Sequence, residues 1–174
     1  MDSIKEDLEQ FRKQLEKGSI RNAYRALLAF MMQLRNHFKN NLDDFTVSGL
    51  YQGYMDMTYF ALFSSSLKQR NLKVPIVFNY ETFGFEAWLS GSNRQVQRQY
   101  WELFKDSKWP AYRLVPQEGT WVDSILEYDL VTSFDLDDPD ALTAAIETAT
   151  LAFIDDIEQF LAQQQPLEDA GPGA

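Results

Sequence analysis

"LKVPIVFNYETFGFEAWLSG", residues 72–91, decides the fold. Successive side chains of an extended chain point to opposite faces, so Leu72, Val74, Ile76 and Phe78 fall on one side. After a polar break near Glu81 and Thr82 the alternation resumes. Phe83, Phe85, Ala87 and Leu89 share one face, with Gly84, Glu86 and Trp88 on the other. Two such runs joined by a short turn are antiparallel neighbours. Pro75 cannot donate to a ladder, which predicts an edge position or a bulge there.

Upstream, residues 46–63 read as a further extended segment. Its alternation sets Tyr51, Met55, Met57 and Tyr59 against Gln52, Tyr54, Asp56, Thr58 and Phe60. "SSSLKQRN" between the extended runs is a turn or a short helical turn. Before them stands a helix pair. Ser3 and Glu6 form a capping box, and Ile4, Leu8, Phe11 and Leu15 make one apolar face up to about Lys17. Gly18 interrupts. Ile20, Ala23, Tyr24, Leu27, Met31, Leu34 and Phe38 then carry a second helical stripe, which "KNNLDDF" ends.

Downstream, Ser92 and Gln95 fit a capping box for a helix through about Lys105, with Val96, Tyr100, Leu103 and Phe104 inward. "WPAYRLVPQEGTW" reads as a loop, and "VDSILEYDLVTSF" as a strand or a short helix. Asp138 before Pro139 is a strong helix start, an N-cap acceptor followed by a ring fixed at helical φ. The last helix presents Leu142, Ala145, Ile146, Ala149, Phe153, Ile157, Phe160 and Leu161 to the interior. The layer argument then gives an α+β class. It is a mainly antiparallel sheet packed with an N-terminal helix pair, a middle helix and a long C-terminal helix. Residues 1–165 are expected to form one domain and residues 166–174, "PLEDAGPGA", a flexible tail.

Composition narrows the chemistry. The 174 residues are 45% hydrophobic and 24% charged, close to the globular average. With no cysteine there is neither a disulfide framework nor a thiolate zinc site. The single histidine, His37, leaves the Ser-His-Asp triad unsupported, and it suits the end of a helix better. Phosphate-binding glycine loops and GxSxG are missing from the sequence, so no cofactor is expected. The acidic, amphipathic N-terminus is unlike a signal peptide, and no apolar run reaches a membrane span of ~20 residues, so a cytoplasmic protein is expected.

Charge is unevenly placed. Residues through Arg113 carry 16 basic and 12 acidic side chains. From Leu114 onward there are 14 acidic and no basic ones, so the two parts bear +4 and −14. Nucleic-acid binding draws its affinity from neutralising phosphates, which this distribution disfavours. Solvated helix faces account for most such runs. An acidic partner surface on the C-terminal helix is the other reading.

One constellation carries a functional expectation. If the strands share a sheet, Tyr54, Asp56, Glu86 and Trp88 share its non-core face. Asn93, Arg94, Gln97 and Arg98 then adjoin it at the start of the next helix, where free N–H groups suit an anion. Aromatic rings with a few amides and carboxylates are what a small-molecule or peptide groove requires. The same residues are equally compatible with a buried second face. Asp56 and Glu86 on successive extended segments also faintly resemble a restriction-endonuclease-like core, which implies a metal-dependent nuclease or phosphodiesterase. That pattern wants lysine two positions after Glu86, and Trp88 stands there; Lys73 compensates only if a neighbouring strand delivers it.

"LYQGYMDMTYF" (50–60), "VFNYETFGFEAWLSGSNRQVQRQYW" (77–101) and "VDSILE" (122–127) resemble an uncharacterised bacterial and archaeal domain family of unknown function. The resemblance spans the chain from the first helix to the last. It implies an intracellular single-domain protein and carries over no activity or site residue. The expected function is therefore a ligand-binding or protein-interaction domain rather than an enzyme.

Overall fold

A computed structural model describes residues 3–109, 111–118 and 122–164. The tail expected at residues 166–174 lies outside them. Among the described residues six strands form one antiparallel sheet. They are β1 (Thr46–Val47), β2 (Met57–Phe63), β3 (Leu72–Asn79), β4 (Gly84–Gly91), β5 (Arg113–Leu114) and β6 (Leu126–Asp129), in the order β1-β2-β3-β4-β6-β5. The helices are α1 (Ile4–Lys17), α2 (Ser19–Asn41), α3 (Ser65–Gln69), α4 (Arg94–Ser107) and α5 (Pro139–Ala162). The fold is α+β.

The hairpin has the expected register, with Phe78 opposite Phe85 and Ile76 opposite Ala87. Across β2, Phe60 faces Ile76 and Thr58 faces Phe78, which puts Thr58, Phe60 and Leu62 on the same side as Phe85 and Leu89. That side is the core face. It meets Leu27, Met31, Leu34 and Phe38 of α2, Val96, Tyr100 and Phe104 of α4, and Ile146, Phe153, Ile154 and Ile157 of α5. Edge-to-face rings tie α2 to the sheet, Phe30 to Phe85 at 5.4 Å, and β3 to β4, Phe78 to Phe85 at 5.0 Å. Both edge strands, β1 and β5, are only two residues long, which limits the unpaired backbone offered to other chains.

Several expectations need correction. Pro75 is in β3, a central strand. The β3–β4 ladder pairs Lys73 with Ser90 and resumes at Ile76 with Ala87 in unchanged register, so there is a gap and no bulge. The lost donor is absorbed by two unpaired positions, while Pro75 still opposes Ala61 of β2. Residues 46–63 are not one strand. Gly53 and Met55 take positive φ (72° and 64°), and the left-handed turn they make ends the extended run before Met57. The N-cap of α4 is Asn93 rather than Ser92, its side chain accepting the Val96 N–H at 3.0 Å. Residues within "WPAYRLVPQEGTW" supply β5, and "LEYD" proves to be strand β6.

The helix stripes differ in fate. The α5 start follows the Asp138–Pro139 expectation, with Asp138 accepting from the Ala141 N–H. In α2 burial begins at Leu27, leaving Ile20 and Ala23 exposed. The capping box of α1 is complete, yet α1 buries none of its residues. No helix among the described residues is long and apolar enough to cross a membrane.

Candidate functional site

The second face of the sheet bears Tyr59, Val77, Glu86 and Trp88. Glu86 is 1% exposed, a carboxylate withdrawn almost entirely from water. Burial at that level is costly unless its lone pairs are met. They are met by three donors: the Thr82 hydroxyl at 2.6 Å, the Trp88 indole N–H at 2.7 Å and the Asn79 amide at 3.3 Å. Lys73 is not among its partners. The group is a closed knot clamping the β3–β4 turn onto the sheet, and Trp88, itself 6% exposed, is held by the same bond.

Asp56 is not on that face. It sits in the turn before β2, where its carboxylate accepts the Tyr54 N–H at 2.8 Å. Backbone N–H groups of Tyr54 and then Met57 hold its pKa below the usual carboxylate range. Tyr54 is 88% exposed. The physical reason is the left-handed Gly53–Met55 turn, which breaks the strand parity on which a shared face depended. The structure thus joins Glu86 with Trp88 and separates both from Asp56 and Tyr54. Among the described residues no group of three or more His, Cys, Asp or Glu side chains is placed to hold a metal ion.

The four helix candidates fare differently. Asn93 spends its side chain on capping α4. Gln97 is 7% exposed and acts as a bracket, accepting the Gly91 N–H at 2.8 Å and donating to the Val122 carbonyl at 2.9 Å. A Cβ on Gly91 would come within 2.6 Å of the Gln97 backbone nitrogen, so glycine is what lets β4 end against the first turn of α4. Arg94 and Arg98 lie on the solvent side of that turn.

Arg94, Gln97 and Arg98 line a trough of about 1220 Å³ between α4 and the segment 114–118. Further along the same wall stand Trp101 and Lys105, which sequence reasoning passed over. The spacing carried the signal: 94, 98, 101 and 105 advance by four, three and four residues, so all four fall on one helix face. Trp101 fixes the opposite wall by donating its indole N–H to the Val115 carbonyl at 2.8 Å. The Lys105 ammonium lies 4.9 Å from the Trp101 ring centroid, within cation–π range. Gln117 braces the wall by donating to the Val115 and Ser124 carbonyls. Three cations, Arg94, Arg98 and Lys105, and two carboxylates, Glu102 on α4 and Glu118 on the opposite segment, line this space. In a chain of net charge −10 the local excess is positive.

The acidic face of α5 is less free than a solvated face would be. Glu147 bonds His37 of α2, Glu158 accepts from the Ser64 hydroxyl, and Asp156 accepts from the Tyr112 hydroxyl at 2.6 Å. Burial, and then that bond to Asp156, hold the Tyr112 phenol above its ordinary pKa. Asp155 remains exposed.

No curated protein and no solved structure matches this chain. A family described as a domain of unknown function, DUF7000, matches residues 4–161, which takes in every strand and nearly all of every helix. By that match the chain belongs to the DUF7000 family, whose function is unknown.

Proposed function

We propose that this chain is a binding domain without catalytic machinery, and that the α4 trough takes a ligand carrying a carboxylate or phosphate group. The observation that carries the reading is the alignment of Arg94, Arg98, Trp101 and Lys105 along one wall of a braced cavity. Guanidinium forks match carboxylate and phosphate geometry in two-point contacts, and the Trp101 ring supplies an apolar floor. The volume exceeds the roughly 300–1,000 Å³ usual for small-molecule sites, which favours an extended ligand. A long polyanion is disfavoured, because 14 acidic side chains follow Leu114 and repel it.

Metal-dependent hydrolysis through Asp56 and Glu86 gains nothing from the geometry. One carboxylate is engaged in its own turn and the other in a knot of neutral donors. The test is a thermal-shift screen of carboxylates, phosphate esters and acidic peptides against the wild type and an Arg94→Ala/Arg98→Ala variant. A ligand present at 100 times its Kd stabilises the folded state by about 2.7 kcal/mol, a readily measured rise in midpoint. The rise should vanish in the variant and shrink with added salt. A ligand that protects the variant as well as the wild type sinks the assignment.

A further inference from the structure

We propose that the ligand of the α4 trough is an extended peptide segment with two acidic side chains four positions apart and an apolar side chain midway between them. The inference rests on the trough being an anion site, as proposed above, and adds the spacing of the anions. At about 1.5 Å rise per residue, the helix from Arg94 to Lys105 presents a wall of about 16.5 Å. Arg94 and Arg98, one turn apart, form one cationic end centred on position 96. Trp101 follows about 7.5 Å further along the axis, and Lys105 about 13.5 Å. Side chains on one face of an extended chain recur at every second residue, so positions i+2 and i+4 stand about 6.7 and 13.4 Å from position i. The two series agree to within about 1 Å. A helical ligand would need acids nine positions apart, which its 3.6-residue turn sets on opposite sides.

The side chains along the wall fix the order of acid, apolar residue and acid. Neither Arg98 nor Lys105 pairs with a carboxylate among the described residues. The Lys105 ammonium lies over the Trp101 ring instead. That contact is weak at an exposed position and gives way to a charge-assisted bond when a carboxylate arrives, which uncovers the indole for an apolar side chain. Val115, tied to Trp101, and its neighbour Leu114 are apolar too, so the middle of the trough is apolar on both walls. Glu102, next to Trp101, and Glu118 repel a continuous acidic run while two spaced acids reach their cations. Backbone pairing to the sheet adds little, because β5 is two residues long and Pro116 soon follows it. Recognition therefore lies in the side chains.

The test is fluorescence anisotropy of end-labelled peptides with blocked termini, titrated with the whole chain at low salt. The reference peptide is Ser-Glu-Ser-Leu-Ser-Glu-Ser. Three comparison peptides move the second glutamate to three positions from the first, replace it with glutamine, or replace the leucine with glutamate. Each should bind about tenfold more weakly than the reference, as expected for the loss of one good contact. Lys105→Gln, at an exposed position, should keep the wild-type melting midpoint and bind the reference no better than the glutamine peptide. Arg94→Ala/Arg98→Ala should bind none of the four. Equal affinity for the reference and the respaced peptide, lost in the double-arginine variant, overturns the spacing and leaves the anion site standing. So does an undiminished preference for the second acid in Lys105→Gln, or a wild type that phosphate esters stabilise but no acidic peptide binds. Peptide binding that survives in the double-arginine variant, or a wild type that takes no anion of any kind, overturns both readings together.

Discussion

Removal of the Glu86 carboxylate tests how the second face of the sheet is held. In Glu86→Ala the Trp88 indole N–H loses its partner at a site 6% exposed, and a stranded buried donor costs about 1–3 kcal/mol. Asn79 and Thr82 are nearer solvent and can turn to water, so each adds only roughly 0.5 kcal/mol. The space vacated by the side chain adds about 1 kcal/mol more. The expected loss is about 3–5 kcal/mol, a large part of the stability of an ordinary domain. Glu86→Gln keeps the shape but turns one acceptor into a donor facing other donors, and should cost about 1–2 kcal/mol. Urea unfolding followed by far-UV circular dichroism measures both without using Trp88 as the reporter. A Trp88→Phe cycle with Glu86→Gln should show a coupling of roughly 1 kcal/mol, because the two share a bond. If Glu86→Ala falls within about 0.5 kcal/mol of the wild type at unchanged m-value, the network is not holding the face and the reasoning is wrong.

Thr150, fully buried in α5, carries the one buried side-chain oxygen without a hydrogen bond among the described residues, so Thr150→Val should raise stability by about 1 kcal/mol in the same assay. Gly53→Ala should lower it by at least about 1–3 kcal/mol, because φ is 72° and a Cβ would stand 1.9 Å from the Met57 carbonyl oxygen. Gly49→Ala, with nothing within 4 Å of its Cβ, is the neutral comparison. The depressed Asp56 pKa means that its turn stabilises the fold above the ordinary aspartate pKa of about 4 and ceases to do so as pH falls through the lower folded value. Unfolding curves for wild type and Asp56→Asn should therefore differ at neutral pH and converge in acid.

The parts of the fold legible in the sequence are those set by local chemistry. Ser3 with Glu6 and Asp138 with Pro139 mark helix starts because the capping partners lie within one turn. The 72–91 hairpin is legible because its two alternations flank a single polar turn. Ser92 and Asn93 are both competent caps, and sequence spacing cannot rank them; the close fit of Gly91 against Gln97 decides. The positive φ of Met55 has no sequence signature, so the turn that removes Asp56 from the sheet is invisible beforehand. Half of the trough is legible in the same sense. Arg94 and Arg98 belong to one helix, whereas the opposite wall depends on Trp101 reaching Val115 across fourteen positions.

The strand order has a kinetic consequence. From β1 to β4 each strand lies beside its neighbour in the chain, so this half of the sheet can zip outward from the 72–91 hairpin at small entropic cost per step. The other half cannot. The chain leaves β4, makes α4, lays β5 at the outer edge, and only then returns β6 into the place between them. Until β6 arrives, β4 has an open edge, and Trp101 has no carbonyl to hold. Amides of β3 and β4 are therefore expected to gain protection from hydrogen exchange first, and the walls of the trough to close among the last events of folding.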